Sequence, residues 1–523
     1  MIMSPSFQDL STRFRVEDAD SNTKWYPHNP IFEHFILIGP KDFDSRGKID
    51  VLYEYPEKKD GQCQFALPEF LFGEDSQKSF IKINKQDDLL SHYLNSNEIT
   101  DKILLIHSSA GVQYYLYCMK FLATPITLPA FLSPNLTNVI LKNRDKKALP
   151  ISTYAYCIAT SHPFPDLYFS LLQQIMQYET VIRNSPKDVS LLNPSTELRG
   201  DADPMDYWPL TAFFSRKKFL EALYDLPLPN FCGVFKISSH STRLQPIKWE
   251  MPMAGDVRRS VILFSSSSVL DWISVNQFID LFSALLLENS IVVVGDSIGQ
   301  ITEAVTFLTQ IITPFVWACP LSTIVPPCLL GFLNSPMPTI AGILSIYAKS
   351  IPEEKVVVNL GKQTIHIPYK LPIIPGHNIL KDLVTNYVKS RNNKHDDENT
   401  NAFVRQISLF LEMTLIAPLS RSIVSFIQNG QVVGSMMAEQ KFRSQFSPDE
   451  LQFIKDITDT QLFSTKKEQL CFFKSQGAKR KFLDIEKHQS YVLHSSNDDS
   501  LILLSDPDED IAYVRESSHF PYA

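Results

Sequence analysis

Glycine is scarce in this chain, with 17 among 523 residues. No lysine follows Gly299 as a phosphate loop requires, and the dinucleotide fingerprint G-x-G-x-x-G is missing from the Gly295–Gly299 turn, so the chain is not expected to bind a nucleotide itself. Cysteine is equally sparse: Cys63, Cys118, Cys157, Cys232, Cys319, Cys328 and Cys471 are odd in number and never spaced C-x-x-C. They sit in apolar runs as reduced core thiols would, which excludes a disulfide scaffold or a cysteine-rich zinc module. Basic charge is in deficit, with 49 Lys and Arg against 57 Asp and Glu for a net charge of −8, which argues against a dedicated nucleic-acid binder and for a protein partner. No run reaches the roughly 18 apolar residues of a membrane span, and the first 21 residues lack a signal-peptide core. A cytoplasmic protein with only indirect membrane contact is expected. Metalloprotease, deaminase and kinase signatures are absent too.

Apolar residues, at 44%, suffice for two or three packed domains. β-Branched and aromatic runs bounded by turn formers predict strands at 32–40, 48–56, 113–122 and 151–159. A helix follows at 164–176, where Leu167, Tyr168, Leu171, Leu172 and Ile175 fall on one stripe. These make a first α/β unit over 30–183, and the polar, proline-bearing text 184–206 is read as a linker. A second unit over 207–390 builds from Gly233–Ile237 through Ser260–Phe264 to a helix at 275–288, apolar over so much of its circumference that it must be buried. A strand at 291–295, a helix through Gln310, a short helix near 328–333 and strands at 337–343 and 355–360 continue the alternation of a largely parallel, helix-flanked sheet. A charged insert at 391–400 reads as a solvated loop, 401–475 as helical, and 495–523 as an acidic tail with an apolar island at Leu501–Leu504.

One motif invites a catalytic reading. Gly295-Asp296-Ser297-Ile298-Gly299 spells G-x-S-x-G between strand and helix, as at a hydrolase nucleophile elbow. Asp382 with His395, or Asp456 with His488, would supply the right chain order. No glycine-rich loop precedes Ser297 to complete an oxyanion hole, so the sequence favours a structural turn in which Ser297 caps the following helix and the glycines allow close helix–strand approach.

Longer stretches carry a resemblance. Phe282–Glu288 (FSALLLE), Ile291–Val294, Trp317 and the prolines after it, Leu333–Ile343 (LNSPMPTIAGI) and Val356–Leu360 together resemble the central DENN region. Tyr156–Tyr168 resembles the end of the upstream DENN segment, and Phe453–Phe463, closing on T-Q-L-F, resembles the downstream one. Asn359 stands where family members more often carry an acid, and the Gly295–Gly299 turn stands where serine-rich sequence is commoner.

The resemblance spans about 30–475 and implies an α/β protein of two lobes, an N-terminal longin-like lobe and a C-terminal lobe with a largely parallel, helix-flanked sheet followed by helices. It implies a guanine-nucleotide exchange factor for a Rab-family GTPase, meeting its GDP-bound and nucleotide-free forms and so regulating vesicle trafficking. No covalent chemistry, catalytic residue, metal or cofactor is then expected. The polar run Ser265–Ser268 leads into Val269–Trp272 near the expected lobe interface, which makes Asp271, Trp272 and Asn276 candidate GTPase contacts. A DENN-type scaffold or GTPase-activating subunit, with Arg183 as a possible finger, and a serine hydrolase using Ser297 are the alternatives.

Overall fold

The computed structural model describes residues 14–16, 30–40, 49–56, 65, 67–72, 79–82, 98–109, 112–123, 148–183, 220–221, 223–224, 234–239, 247–251, 257–391, 397–428 and 431–480. The chain divides into two compact units, Met1–Met253 and Ala254–Ala523. The linker text at 184–206 and the acidic tail lie outside the described residues.

The first unit contains strands β1 (Phe14–Val16), β2 (His34–Pro40), β3 (Ile49–Tyr55), β4 (Ser79–Lys82), β5 (Glu98–Ser109), β6 (Val112–Ala123) and β7 (Ala148–Thr160), with helices α1 (Leu67–Phe72) and α2 (Pro165–Arg183). An antiparallel sheet runs β3-β2-β7-β6-β5, with β4 also on β7. All four expected strands and the helix after β7 are present. Tyr154, Tyr156 and Ile158 on β7 are fully buried. On α2, Tyr168 stacks on Tyr117 at 4.8 Å between ring centroids, and its hydroxyl donates to the Ile31 carbonyl at 2.7 Å. Strands β8 (Val234–Ser239) and β9 (Ile247–Glu250), which the sequence joins to the second unit, pair antiparallel with β1 in the first. Their anchor is Trp249, whose ring lies 5.0 Å from that of Phe164 at the start of α2.

The second unit opens with α3 (Val257–Leu270) and α4 (Val275–Leu286), then β10 (Ile291–Gly295) and α5 (Ile298–Gln310). Ser260–Phe264, to which the sequence reading gave no element type, is helical: Val261, Ile262, Ser265, Ser266, Val269 and Leu270 form one buried stripe at helical spacing. The serines reach the interior because their hydroxyls bond back to helix carbonyls, Ser265 to Val261 at 2.7 Å and Ser266 to Leu263 at 2.9 Å.

Strands β11 (Leu321–Ser322), β12 (Ile340–Leu344), β13 (Val356–Asn359) and β14 (Thr364–His366) complete a sheet ordered β11-β12-β10-β13-β14. Only β14 runs antiparallel to its neighbour, so the sheet is largely parallel. Val292, Val294, Ala341 and Ile343 face a core built with Leu333 and the short 3-10 helices Pro327–Asn334 and Ser345–Ser350. The alternate residues Gly295 and Gly342 face α5, and a Cβ on Gly342 would lie 2.3 Å from both Ile301 Cγ2 and the Thr323 carbonyl oxygen. Glycine here lets helix and crossing strand close on β12.

After the sheet come α6 (His377–Arg391), α7 (Asp397–Leu411), a π-type turn Glu412–Ile416, α8 (Ala417–Ser422), hairpin β15 (Ile423–Gln428) with β16 (Gln431–Met437), then α9 (Glu439–Arg443), α10 (Leu451–Thr458) and α11 (Gln461–Arg480). Two expectations change. The helical text 401–475 contains the β15–β16 hairpin, where β-branched runs meet across Gln428 and Gln431. The insert 391–400 is not wholly a solvated loop: 397–400 begin α7, and Thr400 is buried against the Tyr387 hydroxyl at 3.3 Å. The helical stretch Glu398–Ser422 is long and apolar enough to cross a membrane by length and composition, yet 50% of its apolar window is buried inside the structure, as in a core helix.

Candidate functional site

Asp271, Trp272 and Asn276 come together at the corner where α3 turns into α4. Leu270 and Ile273 anchor the corner inside, while Asp271 and Asn276 are exposed and Trp272 is half-buried. The indole Nε1–H of Trp272 donates to the Ser268 carbonyl at 2.7 Å, closing the last turn of α3. Ser274 then starts α4 through a reciprocal cap: its backbone N–H and hydroxyl donate to Gln277 Oε1 at 3.1 and 2.8 Å, and the Gln277 N–H returns to Ser274 Oγ at 3.4 Å. Asn276 thus sits in the first turn of α4, where backbone N–H groups are still unsatisfied within the helix.

What holds the corner is a residue that sequence reasoning assigned to a solvated insert. The Arg391 Nη1 donates to the Leu270 carbonyl, and to the Ile273 carbonyl at 3.1 Å, so one guanidinium clamps the end of α3 and the entry to α4. The signal was available in principle, because an arginine closing an amphipathic helix is placed to reach carbonyls. Its carbonyl partners are 121 and 118 residues away in sequence, and no local pattern announces such a contact. Tyr387, one turn earlier on α6, stacks on Phe403 at 4.2 Å. Burial holds its hydroxyl above the ordinary tyrosine value, with the nearby Asp271 carboxylate adding to the effect.

Ser297 is the N-cap of α5, and its Oγ accepts the Gln300 N–H at 3.4 Å. Gly295 lies against Ile301 of that helix, with an added Cβ only 3.0 Å from its Cγ1. Next to this turn Asp296 accepts a hydrogen bond from the Ser345 hydroxyl, and Asn359 Oδ1 accepts the Lys362 N–H at 2.8 Å, closing the turn into β14. Of the proposed acid–base partners, Asp382 lies on α6 and Asp456 on α10, while His395 and His488 fall outside the described residues. Arg183 ends α2, and nothing is described of its side chain. Among the described residues no group of three or more His, Cys, Asp or Glu is arranged to hold a metal ion.

A further anchor links the segments that carry the resemblance. Glu288 ends the FSALLLE stretch with φ 51°, the left-handed conformation that usually calls for glycine. Its Oε2 accepts the Gln461 N–H and its Oε1 the Leu462 N–H, each at 2.7 Å, at the start of α11. Cys319, from the apolar segment after Trp317, hydrogen-bonds the same carboxylate, and burial together with that carboxylate pushes its thiol up to about 11.

Residues 151–363, from within β7 to the turn before β14, match the family model described as DENN (AEX-3) domain. Among curated proteins, the chain is 25% identical to DENN domain-containing protein 1B of Mus musculus over 198 residues, covering 36% of this chain and 25% of that protein. It is 23% identical to the Homo sapiens protein of the same name over 270 residues, covering 49% of this chain and 32% of that protein. It is 30% identical to DENN domain-containing protein 2B of Mus musculus over 93 residues, covering 17% of this chain and 8% of that protein. The aligned part therefore spans about a third or less of these relatives. The family match and these relatives agree that the chain carries a DENN domain within residues 151–363.

Proposed function

We propose that this chain is a guanine-nucleotide exchange factor for a Rab-family small GTPase, acting in the cytoplasm on vesicle trafficking and reaching membranes through its GTPase. The observation that carries the proposal is the DENN (AEX-3) match over 151–363. In this reading the antiparallel sheet of the first unit is the longin-like lobe and the largely parallel sheet of the second is the partner lobe. Such a catalyst is a binding surface. It lowers the barrier to GDP release by binding a GTPase conformation whose switch segments hold nucleotide and Mg²⁺ poorly more tightly than it binds the GDP-loaded ground state. No nucleophile takes part, and the exposed Asp271 and Asn276, with Trp272 behind them, are the proposed contacts.

The hydrolase alternative loses ground because the Ser297 hydroxyl is engaged as a helix cap. The activator and scaffold alternatives have no described contact in their favour. Release of fluorescent GDP from a panel of Rab GTPases tests the proposal: accelerated release for at least one member supports it. Faster GTP hydrolysis with unchanged GDP release would replace it by the activator reading, and no effect on any member would remove both activities.

A further inference from the structure

Two of the chain's cysteines meet across the centre of the first sheet. Cys118 on β6 and Cys157 on β7 are direct cross-strand partners, both reduced and both fully buried. Opposite residues of an antiparallel pair project from the same face, with Cα atoms about 4.5–5.5 Å apart and Cβ atoms in the same range. A disulfide needs Cα atoms roughly 4.4–6.8 Å and Cβ atoms roughly 3.5–4.5 Å apart, so joining these two sulfurs asks for a closure of only about 1 Å.

The surroundings favour that bond. Ile36 on β2 stands opposite Cys157 and Ile103 on β5 opposite Cys118, so the pair is the middle of a dry four-strand row. Ala155 and Ala159 flank Cys157 on its own face and put no bulky side chain beside the sulfur. The Cys118 thiol donates to the Leu116 carbonyl at 3.7 Å, a weak bond that turning the side chain about Cα–Cβ releases. Lys120, two residues along the same face, is electrostatically coupled to Cys118, and Asp101 opposite it on β5 favours its charged form. Its Nζ is pinned there, donating to the Leu71 carbonyl of α1 at 2.9 Å and lying 5.0 Å from the Phe72 ring centroid. A fixed ammonium thus faces the sulfur on which negative charge grows as it attacks an oxidant. The covering helix α1 has six residues, too few to hold a helix without tertiary contacts, so its local opening admits a molecule the size of a peroxide.

We propose that Cys118 and Cys157 are a modification site, a dithiol that a peroxide converts into an intrachain disulfide. The Cys118 thiolate attacks one peroxide oxygen, the O–O bond breaks, and the departing hydroxide takes up a proton to leave as water. The Cys157 thiolate then attacks the resulting sulfenic sulfur: the S–S bond forms, the S–O bond breaks, and a second hydroxide leaves as water. Two thiols and one hydrogen peroxide give one disulfide and two waters, the sulfurs supplying the two electrons that reduce the peroxide. The bond ties β6 to β7 on the α1 face, and a thiol reductant reverses it. This chemistry is independent of the exchange activity.

Hydrogen peroxide treatment of the full chain, followed by blocking of the remaining thiols in denaturant and peptide mass spectrometry without reduction, tests it. The proposal predicts the Cys118 and Cys157 peptides joined and lighter by two hydrogens, in monomer-mass protein, at a rate that does not change with protein concentration, and both thiols restored by dithiothreitol. In Cys157→Ala, which removes the second attack, a dimedone probe is expected to capture sulfenic acid on Cys118 at least about fivefold more than in the parent. Should that variant fail to fold, the disulfide mapped in the parent remains the test. Peroxide that oxidises the exposed Cys328 while leaving Cys118 and Cys157 as thiols would overturn the proposal. So would either cysteine bonded to a different partner, or carried to sulfinic acid with no disulfide between them.

Discussion

Glu288 and Leu462, separated by 174 residues, are joined by a 2.7 Å hydrogen bond from the Leu462 N–H to the Glu288 carboxylate, and the neighbouring Gln461 N–H makes a second. Helix α4 ends in a paired turn, with the Asn289 N–H on the Ala284 carbonyl at 2.9 Å and the Glu288 N–H on Leu285 at 3.0 Å. Glycine would occupy the left-handed position at lower conformational cost, on the order of 1 kcal/mol. The glutamate outweighs that cost because its carboxylate caps the N-terminal end of α11, where backbone N–H groups and the helix dipole both favour an anion.

Removing that carboxylate leaves two amide donors without their acceptor in a largely buried place. Glu288→Ala is therefore expected to destabilise the second unit by about 2–4 kcal/mol. Glu288→Gln, which keeps one acceptor oxygen, is expected to lose less. Chemical denaturation followed by fluorescence measures both, and equal stability of Glu288→Ala and the parent would show that the bonds contribute nothing.

The two hairpin and sheet glycines make opposite predictions. Gly342→Ala puts a methyl 2.3 Å from a backbone oxygen, which cannot swing aside, so a loss of about 2 kcal/mol or more is expected. Gly434→Ala, with nothing within 4 Å of the added carbon, is expected to be close to neutral. Thermal melts of the two variants side by side check the contrast, and equal shifts would refute the close approach of α5 and β12.

Burial lowers the His162 imidazole to about 4, against an unfolded value near 6.5. The folded state thus prefers the neutral ring, and the unfolded chain binds the extra proton between those two values. Stability is full above about pH 6.5 and falls as the pH drops toward 4. His162→Gln keeps the carbonyl that accepts the Tyr117 hydroxyl at 3.0 Å and removes the titration. From pH 7 to pH 5 the parent is expected to lose up to about 2 kcal/mol more than the variant, the upper figure applying to a fully dry ring. Parallel pH dependences would place His162 in water.

Much of the second unit was legible because its signals are local. Val292–Val294 is a short apolar run before a turn, and Ser297 precedes apolar residues at helical spacing, so strand, cap and helix follow one another as the sequence predicts. Ser265 and Ser266 misled because a polar side chain satisfied by its own helix can be buried, and hydropathy does not register the satisfaction. Arg391 was hidden for a different reason: whether an arginine is solvated or clamps two carbonyls depends on a corner brought to it by tertiary packing. The β15–β16 hairpin was missed because its flanks are helical and its short strands hold no strict alternation. The corner residues Asp271, Trp272 and Asn276 were chosen by resemblance, and their exposure became visible only once α3 and α4 were placed.

The most direct measurement is GDP release from the responding Rab GTPase with the parent chain and with the double variant Asp271→Ala and Asn276→Ala, both exposed side chains at the α3–α4 corner. An exchange surface at the α3–α4 corner predicts accelerated release by the parent and a fall of about tenfold or more, roughly 1.4 kcal/mol of transition-state binding, in the variant at unchanged melting temperature. Release as fast with the variant as with the parent would contradict the corner as the contact, and a parent that accelerates release from no Rab GTPase would contradict the account as a whole.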